Sequence, residues 1–174
     1  MEYRFMGRTG LKVSELCLGT QTFGWGADEP TAHALADRFV DAGGNFLDTS
    51  NIYNEGQSET MLGSWLKSRG HRAQLVIASK VYFPAGAGPN DTGLSRKHIF
   101  EQIDASLRRL QTDYIDVIQI HDIEFGHKEQ IINETLPALH RLKESGKVRF
   151  VGITNYGLQM IKEVVEAAEV ETIL

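Results

Sequence analysis

The sequence predicts an α/β fold in which short buried strands alternate with amphipathic helices around a parallel sheet. Short apolar runs recur along the chain, and a longer stretch with helical periodicity follows each of them. The ends of five runs are on average about 33 residues apart, so eight such units need roughly 270 residues, near the size of a (β/α)8 barrel. The 174-residue chain would then form an incomplete (β/α)8 TIM barrel, with a hairpin and about five units. Periodicity leaves an open doubly wound sheet as the alternative.

The strands are predicted from runs rich in apolar residues, which in the later runs are nearly continuous. Such runs are typical of strands that are buried on both faces of a parallel sheet. They cover residues 16–19, 45–48, 75–80, 115–121 and 148–153, and residues 171–174 resemble the opening of a sixth strand. Before them, residues 3–13 read as a β-hairpin with its turn at 8–10, which would cover the bottom of a barrel.

The helices are predicted from apolar residues spaced three and four apart. They cover residues 31–42, 58–68, 95–110, 129–145 and 158–168. The first is expected to bury Leu35, Phe39 and Val40 and to end at a pair of glycines. Pro137 lies inside the fourth pattern and should kink or split that helix. A Gly- and Pro-rich loop at 84–93 is placed after the third strand.

Composition excludes several classes of protein. The net charge is −5, which argues against general nucleic-acid binding, because that usually needs a basic face. No apolar run approaches the roughly 20 residues of a membrane span, and the N-terminus is too polar for a secretory signal. Cys17 is the single cysteine, and its apolar neighbours predict a core position. We expect a cytoplasmic protein with neither nucleic-acid nor membrane partners.

Polar residues end four of the five predicted strands. They are Asp48, Lys80, His121 and the pair Thr154-Asn155, and Tyr53 follows Asp48 in the next loop. The carboxyl ends of parallel barrel strands meet at one mouth, so these side chains should lie together. One such residue alone is most simply a turn former or an exposed loop residue. The joint pattern at successive strand ends is what indicates a site.

The chemistry of this set suits proton delivery to a carbonyl oxygen. An ammonium next to a phenol favours the phenolate, and a carboxylate holds the ammonium in place. A neutral imidazole can donate a hydrogen bond to a carbonyl oxygen and orient it. A hydride has to come from a cofactor, because no side chain supplies one.

Two further groups of residues have side chains that could bind a ligand. Phe23 and Trp25 follow the first strand and are expected to line a substrate pocket. His121, Asp122, Glu124 and His127 are residue types that bind metals, but they lie in one loop without a recognised ligand spacing. No metal is therefore expected.

At these residues the sequence resembles the aldo-keto reductase family. The resemblance runs through Met6-Gly7-Arg8-Thr9-Gly10, Leu18-Gly19-Thr20, Phe46-Leu47-Asp48-Thr49-Ser50 with Tyr53, Ser58-Glu59, Ala78-Ser79-Lys80, Ser106-Leu107-Arg108-Arg109-Leu110, Asp113-Tyr114-Ile115-Asp116, Gln119-Ile120-His121, Gly146-Lys147-Val148-Arg149 and Gly152-Ile153-Thr154-Asn155. Residues 121–126 also resemble the galactose and fucose dehydrogenase branch. That stretch alone is a weak indication of a subfamily.

The resemblance implies a (β/α)8 barrel that uses NADPH or NADH to reduce aldehydes or ketones, or to oxidise alcohols or sugars. It implies that Tyr53 is the general acid, that Lys80 and Asp48 tune it, and that His121 positions the carbonyl. It places the cofactor near Gly19, Thr20 and Asp48, with Thr154 and Asn155 on the nicotinamide carboxamide. The family has serine where this chain has Thr154, which keeps the hydroxyl.

We expect residues 1–174 to be a single domain that stops before the units that clamp the cofactor in this family. A barrel that is open at one side exposes strand edges, so an association that covers the edge is expected. The partners would then be a small carbonyl or sugar substrate and whatever covers that edge. The alternative is a non-catalytic regulatory or partner-binding protein on the same scaffold, or an inactive fragment.

Overall fold

The computed structural model describes residues 1–121, 128–167 and 170–173. A two-stranded hairpin opens the chain, with β1 (Tyr3–Phe5) antiparallel to β2 (Lys12–Ser14). Six further strands follow: β3 (Leu18–Gly19), β4 (Phe46–Asp48), β5 (Val76–Val81), β6 (Ile115–Ile120), β7 (Val148–Ile153) and β8 (Thr172–Ile173). The predicted hairpin and strands are confirmed within one or two residues at most ends.

The six strands form one parallel sheet in the order in which they occur along the chain, from β3 to β8. A doubly wound sheet reverses its strand order at a switch point, where its ligand binds. No reversal occurs between β3 and β8, so the open doubly wound alternative is wrong. The sequential order is that of a (β/α)8 barrel, of which these strands are six.

Helices separate the strands of this sheet. They are α1 (Glu29–Asp41), α2 (Gln57–Arg69), α3 (Arg96–Leu110), α4 (Lys128–Gln130), α5 (Leu136–Glu144) and α6 (Leu158–Ala167), with a short 3-10 turn at Arg72–Gln74. Side-chain caps fix two starts: Asp28 accepts a hydrogen bond from the amide of Thr31, and Ser95 accepts one from the amide of His98. Among the helices described, none is long and apolar enough to cross a membrane.

The predicted break at Pro137 is confirmed. Between α4 and α5 the chain forms a π-helical turn over Ile131–Thr135, and Pro137 lies in the first turn of α5. Proline has no amide proton to donate to the preceding turn, so a regular α-helix cannot run through this position.

Apolar residues fill both faces of the sheet. Ile77 packs outward with Leu62 and Trp65 of α2, whereas its neighbours Val76 and Ala78 face the other side. On that inner face they meet residues of the hairpin and of other strands, namely Met6, Val13, Phe46 and Val117. The hairpin therefore closes the end of the barrel opposite to the carboxyl ends of the strands, as the sequence predicts.

One buried face differs from the prediction. In α1, Leu35 is 45% exposed, while Ala32 and Ala36 are fully buried. Phe39 and Val40 pack only partly against the core. Helix α1 therefore packs against its neighbours through alanines. The spacing of its larger apolar residues, three and four apart, does not indicate this face.

At Gly63 of α2 we expect a Gly to Ala substitution to lower the free energy of unfolding, the opposite of its usual effect inside a helix. Gly to Ala inside a helix ordinarily stabilises by up to about 1 kcal/mol. Here a Cβ would lie 2.7 Å from the carbonyl carbon of Leu110 and would also contact the backbone oxygen of Arg109. We expect Gly63→Ala to destabilise the chain by about 1–3 kcal/mol, because it forces α2 and α3 apart.

Urea unfolding checks this expectation, with Ser68→Ala as the control. Ser68 is an exposed residue near the end of the same helix, so its replacement should change the free energy of unfolding by no more than about 0.5 kcal/mol. A Gly63→Ala variant as stable as the parent chain would contradict the close approach of the two helices.

Candidate active site

The pleat of the strands brings the predicted polar residues to one mouth. Side chains two residues apart in a strand share a face. Lys80 therefore follows Ala78 on the inner face of β5, and Lys80 is aligned with Gln119, which is aligned with Gly152. The same alternation carries His121 beyond Gln119 at the end of β6.

Lys80 is the centre of this set. It is 5% exposed, and its Nζ atom donates to Asp48 Oδ2 at 2.5 Å, to the backbone oxygen of Thr49 at 2.9 Å and to Tyr53 Oη at 3.0 Å. An ammonium has three protons to donate, and these three contacts use all of them. The ammonium is thus fixed in position with no rotational freedom left.

Asp48 holds the ammonium but is itself shielded from solvent. Burial raises the pKa of the Asp48 carboxyl above its usual range, and the neighbouring Lys80 charge opposes this shift. Gln119 Nε2 lies 3.4 Å from the second carboxylate oxygen, and Gln119 Oε1 has no hydrogen-bond partner among the described residues. The carboxylate, the ammonium and the amide are therefore interdependent in one buried layer.

A tight turn after β4 presents Tyr53 to this layer. The three residues after it, Asn54, Glu55 and Gly56, all have positive φ, between 48° and 83°. The turn closes on Tyr53, whose backbone oxygen accepts from the amides of Gly56 and Ser58. Gly56 suits this place because it adopts φ +83° without strain and lets the Arg109 side chain approach.

His121 is held from several sides. Its Nδ1 lies 3.2 Å from Ser50 Oγ, and its backbone oxygen accepts a hydrogen bond from the side chain of Asn155 at 2.9 Å. The rings of Tyr53 and Phe83 contact it edge to face, with centroids 5.9 and 4.9 Å away. Asn155 has φ +65°, a conformation that asparagine tolerates better than most residues.

Two cavities meet at these side chains. One of about 360 Å³ is lined by Cys17, Gly19, Asp48, Tyr53, Lys80, His121, Thr154 and Asn155. A second of about 460 Å³ is lined by Gln21, Trp25, Ile52, Tyr53, Asn54, Phe83, His121 and Asn155. Tyr53, His121 and Asn155 belong to both, so the phenol and the imidazole lie at the boundary between the two spaces.

Some of the residues that the sequence predicts to bind cofactor or substrate do not line either cavity. Thr20 is fully buried, and its hydroxyl donates to the backbone oxygen of Asp48 at 3.0 Å. Phe23 is 2% exposed and packs with Ala27 and Ala32, whereas Trp25 is 73% exposed and lines the second cavity. Of the two aromatic residues, the structure brings only Trp25 to the pocket.

The prediction that Cys17 lies in the core is wrong. β3 begins only at Leu18, and Cys17 is exposed where it lines the first cavity. Surrounding protein atoms and the Asp48 carboxylate nevertheless raise the pKa of its thiol to about 12. Cys17 therefore stays protonated near neutral pH and is a poor nucleophile.

A larger cavity of about 620 Å³ lies apart from the phenol, between the loops after β4 and β5 and helix α3. Two charged residues line it, Glu55 and Arg109, and Arg109 is already paired with the buried Glu59 at 2.7 Å. It lacks Tyr53, Lys80 and His121, so the chemistry described above is not there.

Several residues of the site do not figure in the sequence prediction as site residues, among them Ser50, Phe83 and Gln119. The period of two in a strand could have identified Gln119, because it shares a face with His121. Ser50 and Phe83 lie in loops, where periodicity gives no information. Asp122, Glu124 and His127, the weak metal candidates, and most of the sugar-dehydrogenase-like stretch lie outside the described residues.

Comparison with known proteins identifies the family. Residues 15–174 match the Aldo/keto reductase family, so the chain belongs to that family. An aldo-keto reductase from Bacillus halodurans, solved in its holo form, superposes with a TM-score of 0.87 at 35% identity over 99% of this chain and 56% of that one. The expected incomplete (β/α)8 barrel is thereby confirmed.

Curated relatives carry several functions. An uncharacterized oxidoreductase of Bacillus subtilis is 42% identical over 96% of this chain and 53% of its own length. L-galactose dehydrogenase of Arabidopsis thaliana is 39% identical over 95% and 52%. A probable voltage-gated potassium channel subunit beta of Oryza sativa is 38% identical over 94% and 49%. The chain spans about half the length of these relatives.

The Asp48–Lys80 pair yields a pH-dependent prediction. In Lys80→Met, the largest opposing influence on the Asp48 pKa is removed, so we expect that pKa to rise further above its usual value. A carboxyl whose pKa is higher in the folded than in the unfolded state binds its proton more tightly when folded. The stability that this carboxyl contributes is therefore lost as pH rises from its pKa in the unfolded state to its higher pKa in the folded state.

Thermal unfolding at several pH values measures this effect. Lys80→Met should lose more stability than the parent chain between about pH 4 and pH 7. Lys147→Met is the control, since its partner Asp104 is half-exposed. Parallel pH profiles for the parent chain and Lys80→Met would contradict the coupling.

Proposed function

We propose that the protein is an oxidoreductase that transfers a hydride between a reduced nicotinamide nucleotide, NADPH or NADH, and an aldehyde or ketone, with Tyr53 as general acid. One observation supports this above the others: the Tyr53 phenol contacts the buried Lys80 ammonium at the boundary of two cavities. One cavity suits the cofactor ring and the other suits the substrate. The reverse reaction would oxidise an alcohol or a sugar.

The proton comes from Tyr53. Because Lys80 Nζ donates to Tyr53 Oη, the phenol's own proton has to point away from the ammonium. As the carbonyl oxygen gains negative charge, the phenol passes this proton to it. The Lys80 ammonium then stabilises the phenolate that remains, and Asp48 keeps the ammonium in place.

His121 orients the carbonyl. Its ring lies beside Tyr53 and lines both cavities, so a carbonyl oxygen at the boundary lies within reach of phenol and imidazole together. A neutral imidazole donates one hydrogen bond and adds no charge. This suits a role in holding the oxygen where the phenol can protonate it.

The first cavity fits a flat cofactor ring. At Gly19 no atom lies within 4 Å of where a Cβ would stand, so one wall of the cavity is open backbone. Thr154 and Asn155, on the opposite side of the sheet opening, supply the polar groups expected for a carboxamide. A bound nicotinamide would supply the hydride, which none of these side chains can provide.

The second cavity favours an uncharged, hydrogen-bonding substrate. Among the described residues, its wall combines the amides Gln21, Asn54 and Asn155 with the rings of Trp25 and Phe83 and includes no acidic residue, lysine or arginine. A small carbonyl or sugar fits such a wall, because amides bind hydroxyls while rings cover the apolar face. The similarity to an L-galactose dehydrogenase supports the sugar class.

Replacing the phenol tests the general acid. Tyr53→Phe removes only the hydroxyl, so we expect turnover in the whole protein to fall by about 10²- to 10⁴-fold. Nicotinamide binding should persist, since the ring of residue 53 is retained. Steady-state rates and a fluorescence titration measure the two effects separately, and unchanged turnover would exclude Tyr53 as the acid.

The similarity to a channel beta subunit favours a second candidate, a regulatory protein that associates with a larger partner. On this alternative the barrel is retained for binding and turnover is absent. The two candidates differ in what the whole protein does with a nicotinamide nucleotide and a carbonyl substrate together. Net oxidation of the nucleotide favours the enzyme.

A substitution that fills the first cavity at Gly19 tests whether the nicotinamide binds there. We expect this chain to quench or shift NADPH or NADH fluorescence on binding, and Gly19→Val to abolish the effect by filling the open space. Gly157→Val is the matched control, because no atom lies within 4 Å of its Cβ position either and it lines neither cavity. Equal binding by Gly19→Val and the parent chain would place the nicotinamide elsewhere.

A further inference from the structure

We propose that Ser50 is a positioning residue for His121, and that its hydroxyl donates to Nδ1 so that the neutral ring carries its proton on Nε2. Its kinetic consequence rests on the function proposed above. The contact between Ser50 and His121, and the proton position inferred from it, do not depend on that function. Ser50 has no role in the reaction as described so far.

The contact is built into the buried part of the site. Ser50 is fully buried, and its Oγ lies 3.2 Å from His121 Nδ1. It is two residues past Asp48, in the segment that leads to Tyr53. One stretch of chain therefore supplies the partner of the ammonium, the partner of the imidazole and the phenol.

The surroundings of Ser50 restrict where its single proton can go. Its oxygen has two possible acceptors, His121 Nδ1 at 3.2 Å and Asn51 Oδ1 at 3.4 Å. The amide of Ile52 points its proton at the same oxygen from 3.5 Å. The imidazole nitrogen is the nearer acceptor, which favours donation from Ser50 to His121.

Asn51 completes the environment. It is buried, and its Nδ2 donates to Gln102 of α3 at 3.2 Å. That bond turns the carbonyl oxygen of Asn51 toward Ser50 and sets up a direct competition for the hydroxyl proton. If Asn51 received the proton, Nδ1 of His121 would have to be the donor, and the neutral ring would carry no proton on Nε2.

The direction of this hydrogen bond decides what His121 can do. A proton on Nε2 makes the ring a donor to a carbonyl oxygen, as the proposed reaction requires. The edge-to-face contacts with Tyr53 and Phe83 hold the plane of the ring but do not specify which nitrogen is protonated. Of the ring contacts described above, the hydrogen bond with Ser50 is the one that bears on the protonation of a ring nitrogen.

Imidazole ¹⁵N spectroscopy of the labelled chain tests the proton position without any turnover. The His121 resonances are assigned by their loss in His121→Gln. We expect an unprotonated Nδ1 and a protonated Nε2 in the parent chain, and a shift toward a mixture of tautomers in Ser50→Ala. Ser14→Ala is the control, because it removes a buried serine hydroxyl from β2, in the hairpin at the other end of the barrel.

A protonated Nδ1 in the parent chain would overturn the proposal, and so would ¹⁵N shifts that do not respond to Ser50→Ala. In the whole protein, Ser50→Ala should lower kcat/KM for the carbonyl about tenfold, the effect of one hydrogen bond, with nicotinamide affinity unchanged. A fall in kcat/KM with unaltered ¹⁵N shifts would assign Ser50 a purely structural role. If the protein turns over no carbonyl at all, the proposed function fails while the spectra still decide the role of Ser50.

Discussion

The site depends on the Lys80 ammonium and on where its three protons go. A buried ammonium is costly unless each proton has an acceptor. Here a carboxylate, a backbone oxygen and a phenol oxygen supply them, the last two from the segment after β4. The contacts that satisfy the buried charge thus include the one that holds the phenol beside it. Any displacement of Tyr53 would leave a buried donor unpaired, so the fold itself holds the phenol against the ammonium.

Contacts on the outer face of the sheet fix the orientation of Lys80 on its inner face. Ser79 precedes Lys80 and points outward, where its hydroxyl donates to the buried Glu59 at 2.6 Å. Glu59 in turn pairs with Arg109 of α3 at 2.7 Å. Because successive side chains of a strand face opposite sides, anchoring Ser79 outside prevents β5 from turning and keeps Lys80 inside. Helix packing and site geometry are coupled through one strand.

The sequence predicts the strand-end residues well and the loop residues poorly, for a physical reason. Asp48, Lys80 and His121 follow from the rule that parallel strands end at one mouth, and alternation along β6 could have added Gln119, which the prediction missed. The loop after Asp48 places Tyr53 near the mouth, but its exact position depends on a run of positive φ that no periodicity reveals. Phe23 and Trp25 are two residues apart in one loop, yet one is buried and the other exposed. The apolar run predicts a core position for Cys17, but β3 is shorter than that run and begins only at Leu18.

On the proposed function, the two cavities separate the cofactor from the substrate in a way that a single pocket could not. The first brings the charged pair Asp48–Lys80 to an open glycine wall, and the part of the second that the structure describes has amides and aromatic rings with no carboxylate or ammonium. On the proposed function, a carbonyl in the second cavity would contact the Tyr53 phenol, which in turn contacts the Lys80 ammonium. Lys80 does not line that cavity, so its positive charge faces the phenol rather than the space proposed for the substrate.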